Sequence, residues 1–154
     1  ALNSCKDKVY VNLDMSGKSI PIGKCISIIR QVGMEGQVMM YLNQNEIKQA
    51  YAMGPELLFH PFVHEVSGLD VYQTIPGARL VQYNYEYYMG TDVDFAKSVR
   101  ARGFLTYSNI LSNDAAIQAG DYSSLDKFIA SETDFIQTDY AETIMAYLKT
   151  NNLK

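Results

Sequence analysis

The chain has 154 residues, 47% hydrophobic and 19% charged, which is ordinary for a globular protein long enough to bury one real core. No apolar run approaches the roughly 20 residues that span a bilayer. The net charge is -4 and the basic residues are scattered, which argues against the basic stripe of a nucleic-acid groove.

The opening ALNSCKDK has neither a positively charged lead-in nor an apolar core, so it is not read as a signal peptide. The chain starts on Ala rather than Met, as a processed product or a fragment does, and because that start leaves room for a leader a periplasmic or exported protein is favoured over a cytoplasmic one. Cys5 and Cys25 give no disulfide framework and no metal-ligand spacing.

The first β-rich run is KVYVNLD, Lys8 to Asp14. A helix follows from Ser19 to Val32, with Ile20, Ile22, Ile26, Ile28 and Ile29 as its apolar residues. Pro21 falls near the first turn, where proline is tolerated, and Gly33 stops the helix. Cys25, inside IGKCISII, is read as core.

The second strand is QVMMYL, Gln37 to Leu42, followed by a helix from Asn45 to Met53 that Gly54-Pro55 ends. LLFHPFV, Leu57 to Val63, is the third strand, and Glu65 to Pro76 reads as a short helix. RLVQYNYE, Arg79 to Glu86, precedes a helix capped at Thr91-Asp92 that runs through Arg102 and ends at Gly103.

GFLTYSN, Gly103 to Asn109, is the fifth strand. Ser123-Ser124 caps a helix through Ala130, and DFIQT, Asp134 to Thr138, is the sixth strand. The last helix, Tyr140 to Leu148, sets Ile144, Met145 and Leu148 on one side.

Strand starts recur every roughly 20 to 30 residues, the length of a strand plus a crossover helix. Several strands are nearly continuous in apolar residues, as in parallel strands buried on both faces. β-α repeated about six times implies a mainly parallel α/β sheet. An open doubly wound sheet and a closed barrel both satisfy the pattern, and periodicity does not separate them. No G-x-G-x-x-G follows the first strand and no P-loop occurs. No low-complexity linker interrupts the chain, so residues 1–154 are read as one domain.

Four stretches resemble the glycerophosphodiester phosphodiesterase family. KDKVYVNLDMSGK is similar to its third barrel strand, and IIRQVGMEGQVMMYL to the following helix-turn-strand step. RARGFLTYSNIL is similar to the seventh strand, and DFIQTDYAETIMAYLK, the most specific match, to the eighth. The resemblance covers nearly the whole chain and implies a TIM-type (β/α) barrel represented by strands three to eight, an incomplete barrel of about six β/α units. The family's His-Arg-Gly strand, Glu-x-Asp pair and second His-Asp are not in this sequence, whose only histidines are His60 and His64.

In a parallel barrel the active site lies at the C-terminal strand ends. That rule selects Asp14, Tyr41, Asn43, the stretch from His60 to His64, Glu86, Tyr107, Asn109, Thr138 and Asp139. By resemblance, Asp14 falls on a carboxylate that binds a divalent metal, Mg²⁺ or Ca²⁺, hard cations that take oxygen ligands. The family's Glu is replaced by Asp14 and its Lys two residues on by Ser16, with Lys18 farther along. Otherwise Asp14 caps a turn before Gly17.

Glu86, Tyr107, Asn109 and His60 are expected to line the substrate pocket. The competing readings are a solvated Glu86, a structural His60 and a turn-starting Asn109. Asp139 is expected to cap the final helix. Tyr83, Tyr85, Tyr87 and Tyr88 are read mainly as packing residues, the methionines as core filler, and Arg100 and Arg102 as a solvated helix end.

The resemblance implies metal-dependent hydrolysis of a small, phospholipid-derived phosphodiester by the full-length protein. The acid and base would come from outside this chain, which alone is expected to be inactive. The alternative is a non-catalytic partial barrel used for binding or assembly. Six strands leave two open edges, so self-association or pairing with an N-terminal segment is expected.

Overall fold

The computed structural model describes residues 2–84 and 95–153. After a one-turn helix α1, Leu2–Cys5, strands and helices alternate. The strands are β1 Val11–Asp14, β2 Val38–Tyr41, β3 Leu58–His60, β4 Leu80–Asn84, β5 Leu105–Asn109 and β6 Phe135–Gln137. The helices are α2 Ile22–Val32, α3 Gln44–Met53, α4 Val66–Gln73, α5 Phe95–Ala101, α6 Asp114–Gln118, α7 Ser123–Ala130 and α8 Ala141–Thr150, with a 3₁₀ turn at Leu111–Asn113.

All strand pairs are parallel, in two three-stranded sheets ordered β1-β2-β3 and β4-β5-β6. Parallel bridges Phe59–Ala78 and Phe62–Gln82 link β3 to β4. There the Val63 N–H donates to the Gln82 carbonyl at 2.8 Å, and the Gln82 N–H to the Pro61 carbonyl at 2.9 Å. Each strand neighbours the next one in the chain. A doubly wound sheet reverses its strand order at a switch point, so this order sets that alternative aside.

The sheets have an outer and an inner face because side chains alternate along a strand. Val38 and Met40 of β2, Phe59 of β3 and Val81 and Tyr83 of β4 share the main core with helical residues. On α2, Ile22, Ile26 and Ile29 are buried at helical spacing, and the helix ends where Gly33 takes φ 70° and donates to the Ile29 carbonyl at 3.0 Å. The opposite face carries Met39, Leu80 and Tyr107, with Leu58 and Phe135 against them.

The structure corrects several expectations. The strands are shorter than the apolar runs, because parallel pairing stops where the partner strand stops. β1 is not buried on both faces: its residues alternate between half-buried and exposed. Met145 is 64% exposed while Ile144 is buried, so the final helix presents a narrower apolar side than expected.

Ser123-Ser124 does not cap α7. The Asp121 carboxylate accepts the Ser123 N–H at 3.0 Å, which holds the Asp121 pKa below its usual value, and Ser124 Oγ donates to Asn113 Oδ1. Nor does α8 have a side-chain cap from Asp139. Helices α1 and α6 and the 3₁₀ turn were not anticipated. Arg100 and Arg102 are tied rather than merely solvated: Arg100 meets the Glu132 carbonyl, and Arg102 donates to Asp70 at 3.0 Å.

Asn43, selected as a strand-end candidate, caps α3. Its Oδ1 accepts from the N–H groups of Asn45 and Glu46 at 3.0 and 3.1 Å, and Glu46 returns a bond to the Asn43 N–H at 2.8 Å. This reciprocal box satisfies helix-end donors that otherwise have no partner. Asn43→Ala is therefore expected to lower folding stability by about 1 kcal/mol. Urea unfolding measures it, and an unchanged midpoint would remove the cap from the account.

Candidate active site

The C-terminal strand ends carry a polar cluster on the inner face, with one side chain from each of five strands. His60 of β3 has no exposed surface. Tyr41 stacks on one side of its ring at 5.4 Å and 22°, and Tyr107 lies on another at 5.3 Å and 33°. His60 Nε2 is 3.0 Å from Asn12 Oδ1. The Asn12 amide in turn donates from Nδ2 to the Tyr107 hydroxyl at 3.4 Å, and that hydroxyl donates to Gln137 Oε1 at 2.9 Å.

This chain of bonds sets the histidine tautomer. Asn12 can only accept through Oδ1, so Nε2 carries the imidazole proton and Nδ1 presents a lone pair. Nδ1 is buried and has no partner among the described residues. Burial lowers the His60 pKa to about 4, with the negative charge of Asp14 opposing the shift. Burial likewise raises the Tyr107 phenol pKa, partly offset by the bond from Asn12.

The expectation that His60 contacts substrate meets an obstacle in this geometry. An imidazole with no exposed surface cannot reach a ligand at the mouth; it positions Asn12 and Tyr107. His64, four residues on, is exposed and packs its ring on Phe62 at 4.6 Å. Asn12 and Gln137, which complete the cluster, were not among the sequence candidates. The signal available was their place on the inner face, two residues before Asp14 and one before Thr138.

Asp14 lies one inner-face position beyond Asn12, at the end of β1, with its side chain 60% exposed. Lys18 reaches back to it, with Nζ 2.7 Å from Oδ2 and 3.0 Å from the Asp14 carbonyl oxygen. Asn109 ends β5 in register with Gln137, half-buried on the face that carries Tyr107. Glu86 lies outside the described residues, as do Tyr85, Tyr87, Tyr88 and the Thr91-Asp92 cap. Tyr83 is buried against Phe95, and its hydroxyl lies 2.8 Å from Thr133 Oγ1.

Thr138 and Asp139 are held by a residue that sequence reasoning passed over. Asp114, only 5% exposed, accepts from Thr138 Oγ1 at 2.6 Å and from the Asp139 N–H at 2.9 Å. Thr138 Oγ1 also accepts the Tyr140 N–H at 3.0 Å, so the loop after β6 is clamped on both sides.

Among the described residues no three His, Cys, Asp or Glu side chains gather as a metal cage. Asp14 supplies one carboxylate, whereas Mg²⁺ or Ca²⁺ takes about six or more oxygens. These residues do not by themselves fit the cation, and further ligands must join Asp14 for one to bind. Among the described residues no helix is long and apolar enough to cross a membrane.

Several solved structures share this fold. A glycerophosphodiester phosphodiesterase from Parabacteroides distasonis superposes with a TM-score of 0.72 at 13% identity, covering 95% of this chain and 60% of that one. The fold is the one such proteins share. A glycerophosphodiester phosphodiesterase from Agrobacterium tumefaciens matches with a TM-score of 0.63 at 13% identity, covering 90% of this chain and 56% of its own. A second glycerophosphoryl diester phosphodiesterase from P. distasonis gives 0.71 at 14%, covering 92% and 51%. The chain thus spans between about half and three-fifths of the length of these proteins. No protein-family model and no curated protein sequence matches it.

The enclosed imidazole makes stability depend on pH. His60 is neutral when folded down to about pH 4, but titrates near 6.5 when unfolded. Between those values the unfolded state binds the extra proton, so stability falls as pH drops through this window. The loss attributable to His60 is about 3 kcal/mol. Urea unfolding of the protein and of His60→Gln should show their stability difference shrinking by that order from pH 7 to 4. A difference constant across the range would show that His60 is not enclosed as described.

Proposed function

We propose that this chain forms strands three to eight of a glycerophosphodiester phosphodiesterase-type barrel, and that the complete polypeptide hydrolyses a small-molecule phosphodiester to an alcohol and a phosphomonoester. The observation that carries this reading is the polar inner layer at the strand C-termini, in a fold shared across 95% of the chain with a glycerophosphodiester phosphodiesterase.

Each residue has a limited task in this reading. Asp14 would contribute one oxygen to a divalent cation completed by further ligands, and that cation would neutralise the phosphodiester charge. Lys18, held against Asp14, keeps a second positive group at the same rim. Tyr107 and Asn109 line the pocket wall, Glu86 is retained as a substrate contact, and His60 acts through Asn12 and Tyr107.

In this reading the protons of the reaction are not shuttled by either histidine of the chain. His60 is enclosed and neutral, and His64 is turned onto Phe62. General acid and base groups typically contribute about 10² to 10⁴-fold, so the 154-residue chain alone should be inactive. A non-catalytic partial barrel is the second reading, favoured by the lack, among the described residues, of a three-ligand cluster around Asp14 and by Ser16 in place of the family's Lys.

Phosphomonoester release from a panel of glycerophosphodiesters separates the two. The complete polypeptide should turn over at least one diester with Mg²⁺ or Ca²⁺ and lose activity with a chelator. Asp14→Asn should reduce activity about tenfold or more, and the 154-residue chain should show none. No turnover by the complete polypeptide under any metal condition would leave the binding module.

A further inference from the structure

A second concave site lies in the helix layer, outside the polar cluster. Tyr122, just ahead of α7, and Tyr147 of α8 stack with ring centroids 4.1 Å apart at 17°. The Tyr147 hydroxyl donates to Asp126 of α7 at 2.6 Å, which fixes the ring against that helix. Beside the pair an open cavity of about 540 Å³ runs along α8. Among the described residues no strand position lines it, so it is separate from the candidate active site.

The shape of the cleft follows from helical spacing. Glu142, Ala146 and Thr150 stand four residues apart, on one stripe of α8. Ala146 is the small member of that stripe, and it leaves room between the Glu142 carboxylate and the tyrosine wall. Ile144, on another side of the helix, is buried and anchors α8 to the core.

The lining selects the sign of the charge. Among the described residues no Lys or Arg borders the cavity, and neither Glu142 nor Asp126 forms an ion pair. Asn151, which also borders it, donates its amide to the Tyr147 carbonyl at 2.9 Å. An anion would therefore meet a carboxylate and no cationic partner. A cation is drawn both by the negative faces of the aromatic rings and by Glu142. A small inorganic cation asks for several oxygens at close range, which one carboxylate does not supply. A bulky organic cation makes no such demand, and its apolar shell suits the rings.

We propose that this cleft binds a quaternary ammonium group, held between the Tyr122–Tyr147 pair and the Glu142 carboxylate. A soluble choline compound and a choline-headgroup lipid both present that chemistry. Asp126 acts as a positioning residue, since it reaches the cleft only through the Tyr147 hydroxyl.

An NMR titration of the 154-residue chain with choline tests this. The ring resonances of Tyr122 and Tyr147 should shift together, with a Kd of about 1 to 10 mM, as weak contacts at an exposed site give. The neutral tert-butyl analogue of choline, with carbon in place of the charged nitrogen, should bind about fivefold more weakly. Glu142→Gln alters an exposed side chain, so it should keep the unfolding midpoint while weakening choline about threefold. Tyr147→Phe keeps the ring and should still bind, whereas Tyr147→Leu should not; if the latter fails to fold, Glu142→Gln and the analogue decide alone. Co-sedimentation with phosphatidylcholine but not phosphatidylglycerol vesicles would assign the site to a lipid surface, and choline binding without it to a soluble compound. Equal affinity for choline and its neutral analogue, unchanged choline affinity in Glu142→Gln, or no shift of either ring up to about 50 mM choline would each overturn the proposal.

Discussion

Enclosure of one imidazole organises the inner face. His60 is held between two tyrosine rings, and its single proton must go to Asn12 because the other side of the Asn12 amide already donates to Tyr107. Each bond fixes the direction of the next, out to Gln137 at the far edge. An alternative tautomer would set His60 Nε2 and Asn12 Oδ1 as two acceptors facing each other. Buried polar groups are costly when left unpaired, so the arrangement is strongly directional although its individual bonds are modest.

This directionality follows from strand alternation. On the inner face the apolar Met39, Leu58, Leu80 and Phe135 each lie two residues before a polar or polar-tipped one, Tyr41, His60, Gln82 and Gln137. The inner face therefore grades from apolar to polar along the strands. Burial of His60 outweighs the nearby charge of Asp14, so its pKa stays below the ordinary value. The rim remains wet, and there Asp14 and Lys18 pair in the open.

The strand-helix rhythm was legible because parallel strands and their covering helices carry strong local signals. The isoleucines of α2 and the stop at Gly33 are such signals. Caps were read less well, since Asn43, Ser123 and Asp139 are chemically similar choices, and only tertiary placement decides which of them bonds a helix end. The polar cluster was half legible. His60 and Tyr107 stood at strand ends, but Asn12 and Gln137 became visible only once the register placed four strands around one imidazole. The distinction between a doubly wound sheet and sequential strand order was never in the periodicity, because both use the same β-α unit.

The stretch most similar to the phosphodiesterases shows why motif and chemistry must be kept apart. In DFIQTDY, Asp134 clamps Thr106 through both its backbone N–H and its hydroxyl, at 2.8 and 2.7 Å. Thr138 and Asp139 are fastened to Asp114. Gln137 alone turns toward the polar cluster. Most of the motif thus locks β6 in register against β5 and fixes the loop that follows. A chain can keep those residues for the sake of the fold whether or not it retains the reaction. The strength of that match therefore speaks to barrel geometry, and the case for chemistry rests on Asp14 and on whatever groups join it at the β1 rim.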